Sequence, residues 1–329
     1  MSTTLKEFIE RIKPRIDEMI KESLKGEPEV LYKASAHLPL VGGKRLRPAM
    51  VLIIAQGLGA SFDDSLPAAT SVELLHNFTL VHDDIMDRDE KRRGVPTVHV
   101  IYGEPMAILA GDVLYAKAYE VLLRSPQRSE IVVEMTKTLT WAAVAVAEGQ
   151  AMDMMFEERW DVKEEEYLKM VEKKTGALFA ASAALGGLAA EALELKDKLM
   201  ELGKIIGIAF QIKDDILSLI GDEKITGKKK YNDLKEGKKT LLVIKALERA
   251  STDEKEYLMK VLGNDNATFE ELERASEIII KLGALDYVVK KAEEIGKRAI
   301  QIIDELPIVD KEYSHLLKEL VEFAVRREY

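Results

Sequence analysis

The chain has 329 residues, 47% hydrophobic and 32% charged, with no cysteine and a formal net charge of -10. That is enough apolar material for a large core, while the negative balance argues against nucleic acid, whose binding draws affinity from phosphate neutralisation. Without cysteine there is neither a disulfide framework nor thiol chemistry, and no window reaches the roughly 20 apolar residues of a spanning helix; a cytoplasmic protein with no transmembrane segment is expected.

Eight of the nine prolines lie at or before Pro126, and the ninth is Pro307. The span between them is rich in Ala, Leu, Glu, Lys and Met, all good helix formers, and strand signals are nearly absent. No linker, repeat or low-complexity tract interrupts the chain. The expectation is all-α: one helical bundle domain over residues 1–329, of roughly a dozen helices.

Met1 to Leu24 has the spacing of an amphipathic helix. The stretch Gly42-Gly43-Lys44-Arg45-Leu46-Arg47-Pro48 then leads into a helix over Ala49 to Leu58. Cations in a first helical turn are mildly unfavourable against the macrodipole, so three of them after a Gly-Gly turn suggest an anion site. Between Ser65 and Asp87 an apolar helix ends in His82-Asp83-Asp84-Ile85-Met86-Asp87. Carboxylates at a helix C-terminus are again badly placed, and Asp83 and Asp87 lie one turn apart on one face. A hard cation would resolve the conflict: Mg2+ takes carboxylate oxygens and shares its other positions with water and phosphate. On the helical wheel His76 and Thr79 share the stripe of Asp83 and Asp87. His82 and His99 read as structural. In the polar loop that follows, Arg92 and Arg93 are suited to bidentate phosphate binding.

Two further helices are expected, Pro105 to Leu123 and Glu130 to Phe156. Within the second, Gln150 and Asp153 interrupt an Ala/Val/Met face, either as a buried hydrogen-bonding pair or as pocket lining. Lys174 and Thr175 precede a helix of very small residues. A second acidic pair, Asp214-Asp215, follows Gln211 and interrupts another apolar helix. Two acidic clusters facing one another on separate helices would form a metal clamp for a diphosphate. Lys228 and Lys238 lie in Gly-punctuated basic turns, and Arg326-Arg327 near the C-terminus are further candidates to cap such a site.

These motifs, Gly-Gly-Lys-Arg-Leu-Arg-Pro, Asp83-Asp84-x-x-Asp87 with Arg92-Arg93, Lys174-Thr175-Gly176 and Gln211-x-x-Asp214-Asp215, occur in the order seen in trans-isoprenyl diphosphate synthases. The chain resembles that family from Gly42 to Lys238, most closely its short-chain archaeal-type geranylgeranyl diphosphate synthases. The resemblance implies a homodimeric isoprenoid-synthase bundle with a deep central cavity. The implied reaction is a Mg2+-dependent head-to-tail (1'-4) condensation of isopentenyl diphosphate with an allylic diphosphate, giving geranylgeranyl and possibly some farnesyl diphosphate. Three Mg2+ ions per site would be held by Asp83, Asp87 and Asp214, with Asp84 and Asp215 in support. Lys44, Arg47, His76 and Arg93 would bind isopentenyl diphosphate, and Arg92, Lys174, Lys228 and Lys238 the allylic diphosphate. Thr175 and Gln211 would present oxygens to the allylic cation. The family's usual third aspartate in the second motif is Ser218 here, with Asp222 nearby. Family precedent places the chain-length floor at Phe78, whereas Thr79 and Leu75 lie nearer the Asp83 face of the wheel.

Two other readings share parts of this pattern. A class I terpene cyclase has the aspartate clamp but needs no second diphosphate site, for which Lys44, Arg47 and Arg93 speak. A catalytically silent regulatory subunit would not need both acidic clusters and the basic set.

Overall fold

The structure, a computed structural model, describes residues 3–221 and 230–325. It is all-α, and among the described residues the only strands are β1 (Lys91–Arg92) and β2 (Val95–Pro96), a two-residue-per-arm antiparallel hairpin. The chain forms two compact units. The first takes residues up to Val144, Leu178–Gly203 and Ile302–Leu320; the second takes Ala145–Ala177, Lys204–Gln301 and the residues from Val321 onward.

In the first unit, α1 (Leu5–Ser23) opens on a capping box, in which Thr4 and Glu7 satisfy each other's backbone N–H groups. Its residues Phe8, Ile12, Ile16 and Ile20 recur every four and are all buried. After α2 (Glu29–Val41), α3 (Leu46–Gly57) begins three residues earlier than the sequence suggests, with Pro48 inside its first turn, where a missing N–H costs nothing. The long α4 (Phe62–Met86) is capped by Ser61, whose hydroxyl accepts the N–H of Asp64 at 3.1 Å. It packs against α3 and, most extensively, against α6 (Glu104–Leu122), with the short α5 (Val98–Tyr102) between hairpin and α6. Close packing is bought with small residues: a Cβ on Gly186 of α9 (Ala177–Ala189) would sit 2.7 Å from the Val51 carbonyl of α3.

The second unit is built around the C-terminal part of α7 (Ser129–Glu157), α8 (Glu164–Val171) and most of α10 (Lys196–Ile220). With them pack α11 (Asn232–Glu236), α12 (Leu241–Arg249), α13 (Thr252–Val261), α14 (Phe269–Lys281) and α15 (Ala284–Asp304). Their apolar faces close one core that includes Tyr167, Ile212, Ile216, Leu242, Leu258 and Val288. The last helix, α16, spans Lys311–Val325. Between α8 and α9 the winding widens to a π-turn over Glu172–Gly176. Such turns hold one more residue than α geometry and are frequent at functional sites.

Candidate active site

The first unit assembles a basic cluster and an acidic one. Arg45, the central cation of the Gly-Gly loop, is turned into the protein interior. It caps α3 in the left-handed conformation (φ +49°), with its guanidinium fully buried. There it donates to Asp17 Oδ1 at 2.6 Å, to the Pro39 carbonyl at 2.6 Å and to Glu73 Oε1. Of the other two cations expected at an anion site, Lys44 is exposed and Arg47 half-buried. Arg47 lies over the Phe179 ring, 4.4 Å from its centroid, and its Nη1 is 3.1 Å from His76 Nε2. Burial, reinforced by Arg47 and then Arg93, Arg92 and Arg45, drives the His76 pKa well below 6.5. A neutral His76 thus accepts from Arg47.

The hairpin brings in Arg93. Its two-residue loop, Arg93-Gly94, has positive φ at both positions (+55° and +79°), as a tight hairpin of right-handed twist demands. The guanidinium donates to the Gly42 carbonyl and, at 3.3 Å, to that of Leu38. Gly43 lets the guanidinium lie close to the loop, since a Cβ there would be 2.9 Å from Arg93 Cζ and would push the side chain aside. Lys44, Arg47, His76 and Arg93, 49 residues apart in sequence at the extremes, are thereby drawn to one region.

Arg92, on the opposite face of the hairpin, joins the carboxylates at the end of α4. Its Nε donates to Asp84 Oδ1, and its Nη2 lies 3.5 Å from Asp89 and 3.9 Å from Asp83. Asp84 is buried and its Oδ2 has no hydrogen-bond partner. Burial pushes its pKa up to about 6 against the pull of Arg92. Asp83 and Asp87 are half-buried, and the Asp87 N–H closes the helix on the Asp83 carbonyl at 2.8 Å. Among the described residues no three acidic or histidine side chains close around one point. The donors are all carboxylate oxygens with one buried oxygen unsatisfied, a set that suits Mg2+, which takes one or two carboxylates and completes its shell with water and phosphate oxygens.

On α4, Leu75 is fully buried and the Thr79 hydroxyl donates to the His76 carbonyl at 2.8 Å. Phe78 stands edge-on to His82 and to Tyr115 of α6, with centroids 4.8 and 5.2 Å away. His82 contacts the Ile108 carbonyl at 3.1 Å and His99 the Thr97 hydroxyl at 3.2 Å, both in supporting roles.

The second unit gathers Lys174, Thr175, Gln211, Asp214, Asp215 and Lys238 around α7, the π-turn and α10. The π-turn packs hard on α7: a Cβ on Gly149 would lie 2.2 Å from the Lys174 backbone nitrogen. Lys174 Nζ donates to Asp153 Oδ2 at 2.6 Å, and Lys238 Nζ reaches the same oxygen at 3.4 Å and Glu157 Oε1 at 2.8 Å. Burial would raise the Asp153 pKa, but the two ammonium groups outweigh it and hold it below the usual carboxylate range. The hydrogen-bonding pair expected of Gln150 and Asp153 is not formed. Asp153 serves the lysines, and both amide atoms of buried Gln150 lack a partner. Thr175 Oγ1 donates to Gln211 Oε1 at 2.8 Å, and Gln211 Nε2 to Asp215 Oδ1 at 2.9 Å. Tyr167, not singled out by the sequence analysis, donates to Asp215 Oδ2 at 2.6 Å. Burial, with Asp233 nearby, pushes the Asp215 pKa up to about 8. Asp214 is half-buried beside it. Ser218 is buried, its hydroxyl 3.4 Å from the Asp233 backbone nitrogen, so it serves the turn into α11. Lys228, Asp222 and Arg326-Arg327 lie outside the described residues.

Residues 28–279 match the polyprenyl synthetase family. The chain is 47% identical over 331 residues to a geranylgeranyl diphosphate synthase of Saccharolobus solfataricus, covering 99% of this chain and 98% of that one. It is 46% identical over 318 residues to a geranylfarnesyl diphosphate synthase of Aeropyrum pernix, covering 95% and 99%. Among solved structures, the geranylgeranyl pyrophosphate synthetase of Pyrococcus horikoshii superposes with a TM-score of 0.91 at 41% identity, covering 98% of this chain and 99% of that one.

Proposed function

The chain belongs to the polyprenyl synthetase family and is a prenyltransferase, and from that premise we propose that it condenses isopentenyl diphosphate head to tail with allylic diphosphates, giving chiefly the C20 product geranylgeranyl diphosphate. The observation that carries this reading is the convergence of Arg93, Arg47 and His76 on the Gly42–Lys44 loop, apart from the carboxylates of α4. A cyclase, with one diphosphate to bind, has no use for a second basic cluster.

Asp83, Asp87 and Asp214 would hold Mg2+, three ions on the family's pattern, with Asp84 and Asp215 supporting them. Bound there, the metal would neutralise charge on the allylic diphosphate and ease its departure. Arg92, Lys174 and Lys238, with Lys228, bind the same diphosphate; Asp153 and Glu157 keep two of these ammonium groups in place. As the allylic C–O bond breaks, the oxygens of Thr175 and Gln211 face the developing cation. Lys44, Arg47 and Arg93 hold the isopentenyl diphosphate while neutral His76 fixes the Arg47 guanidinium. The isopentenyl double bond then attacks the allylic carbon, and the proton lost goes to the departing diphosphate. No protein nucleophile is needed, in line with a site of carboxylates and cations. Phe78, with Leu75 and Thr79, would limit how far the growing tail extends along α4.

No helix among the described residues is long and apolar enough to cross a membrane, and a cytoplasmic setting is part of this reading. So is a homodimer: Ile108 and Leu109 of α6 and Val133, Trp141 and Val144 of α7 expose large apolar surface. The test is purified protein with Mg2+, labelled isopentenyl diphosphate and an allylic starter. Elongation supports the synthase, hydrocarbon from the starter alone supports a cyclase, and no turnover supports a silent regulatory subunit.

A further inference from the structure

A continuous run of hydrogen bonds ties Tyr167 of α8 to Thr175 of the π-turn by way of α10. Tyr167 Oη donates to Asp215 Oδ2 (2.6 Å), Gln211 Nε2 donates to Asp215 Oδ1 (2.9 Å), and Thr175 Oγ1 donates to Gln211 Oε1 (2.8 Å). Tyr167, Asp215 and Thr175 are buried, at 1%, 6% and 6% exposure, so these bonds do not compete with bulk water. All four residues belong to the second unit.

The direction of each bond matters. A side-chain amide can present either its NH2 or its oxygen to a neighbour, and the network around it decides which. With Asp215 Oδ1 acting as the acceptor, the NH2 of Gln211 is committed to it, and the Gln211 carbonyl oxygen must face Thr175. That oxygen then takes the Thr175 hydroxyl hydrogen. Both Thr175 Oγ1 lone pairs are thereby left available, so the hydroxyl presents electron density and no hydrogen to an approaching cation. Without the Tyr167 hydroxyl, Asp215 loses one of two anchors and can rotate, and the Gln211 amide loses the contact that fixes its sense.

We infer that Tyr167 is a positioning residue for prenyl transfer, acting through Asp215 and Gln211 to set the Thr175 hydroxyl with its lone pairs toward the allylic cation. This rests on the synthase reading above. It gives a purpose to a buried phenol in a core where phenylalanine would pack equally well.

The experiment is a double-mutant cycle on condensation kinetics, with Tyr167→Phe, Thr175→Val and the double variant, each checked for folding by circular dichroism and thermal melting. Tyr167→Phe should lower kcat about tenfold, the loss of one well-placed neutral hydrogen bond, with KM for both diphosphates within about twofold. Thr175→Val should lower kcat at least as much, and adding Tyr167→Phe to it should cost nothing more, because the phenol acts only through that hydroxyl. Thr175→Ser, which keeps the hydroxyl, should restore the sensitivity to Tyr167→Phe. If Tyr167→Phe does not fold, Tyr167→Met, which also lacks the hydroxyl, takes its place in the cycle with the same expected non-additivity. A wild-type kcat in Tyr167→Phe, or losses that multiply in the double variant, would overturn the relay while leaving the synthase reading intact. A wild-type protein that fails to elongate an allylic starter would overturn that reading, and this one with it.

Discussion

Arg45→Met tests whether the Gly42–Lys44 loop, proposed to bind isopentenyl diphosphate, is anchored from below. The wild-type guanidinium is wholly buried and held by Asp17, Glu73 and the Pro39 carbonyl. Methionine fills similar space at the same left-handed backbone cost, but leaves Glu73, 2% exposed, as a buried carboxylate held by Asn77 Nδ2 at 3.1 Å. Unit charges ~4 Å apart attract by ~4 kcal/mol at an effective dielectric near 20. Burial offsets part of each attraction, and removing one partner of a buried pair costs ~3–5 kcal/mol. Unfolding entropy of ~2.1 cal/mol/K per residue, over 329 residues, gives ~0.7 kcal/mol/K, so a loss of ~4 kcal/mol lowers Tm by about 6 °C. The KM for isopentenyl diphosphate should rise several-fold as the Gly42–Lys44 loop loosens, with the KM for the allylic substrate less affected. Calorimetry and steady-state kinetics measure both. Adding Glu73→Gln removes the stranded charge and should recover at least half of the lost Tm. A single variant within about 2 °C of wild type, or a double variant less stable than the single, would refute the anchoring account.

Three further outcomes are expected. Phe78→Ala should lengthen the product, seen by chromatography of the dephosphorylated prenols; an unchanged spectrum would mean that Phe78 is not the floor. His76 stays neutral in the folded state because burial and the guanidinium of Arg47 depress its pKa well below 6.5. Its contribution to stability is therefore complete above about pH 6.5 and falls below it, by up to ~1.4 kcal/mol per pH unit, as the unfolded chain alone takes up the proton. His76→Gln should flatten urea-unfolding stability between pH 7.5 and 5.5, and an identical slope in both proteins would exclude His76 as its source. Chelation should abolish condensation, and Asp83→Asn should raise the Mg2+ concentration for half-maximal rate about tenfold or more; an unmoved Mg2+ curve would remove Asp83 from the ligand set.

The helices and the two acidic clusters were legible because apolar periodicity and the misplaced carboxylates are local properties of the chain. Lys44 and Arg47 stood out as cations at a helix N-terminus, where the macrodipole disfavours them; Arg92 and Arg93 stood out only as a pair close behind the aspartates. Arg45 was not distinguishable from its neighbours, since its inward turn follows from a left-handed φ and from Asp17 and Glu73, each 28 residues away. Asp153 read either as the partner of nearby Gln150 or as pocket lining, while its partners, Lys174 and Lys238, lie 21 and 85 residues on. Spacing cannot reveal such pairings. Tyr167 fits an apolar helix face so well that only the geometry of its hydroxyl sets it apart.

The π-turn at Glu172–Gly176 bears on how such a sequence can vary. A wider turn is equivalent to one residue inserted into an ordinary helix. Loss of any residue there would restore regular winding and leave both flanking segments able to form helix. Five residues of the wider turn sweep about the arc that four sweep in an α-helix, so the flanking segments would hardly change phase, while the side chains within the turn would be re-aimed. The Lys174 ammonium would leave Asp153 and the Thr175 hydroxyl would leave Gln211. Loops tolerate gained and lost residues because their ends alone are fixed; across these five positions the aim of each side chain depends on the extra residue, and a deletion that improves local regularity would part Lys174 from Asp153 and Thr175 from Gln211 at once.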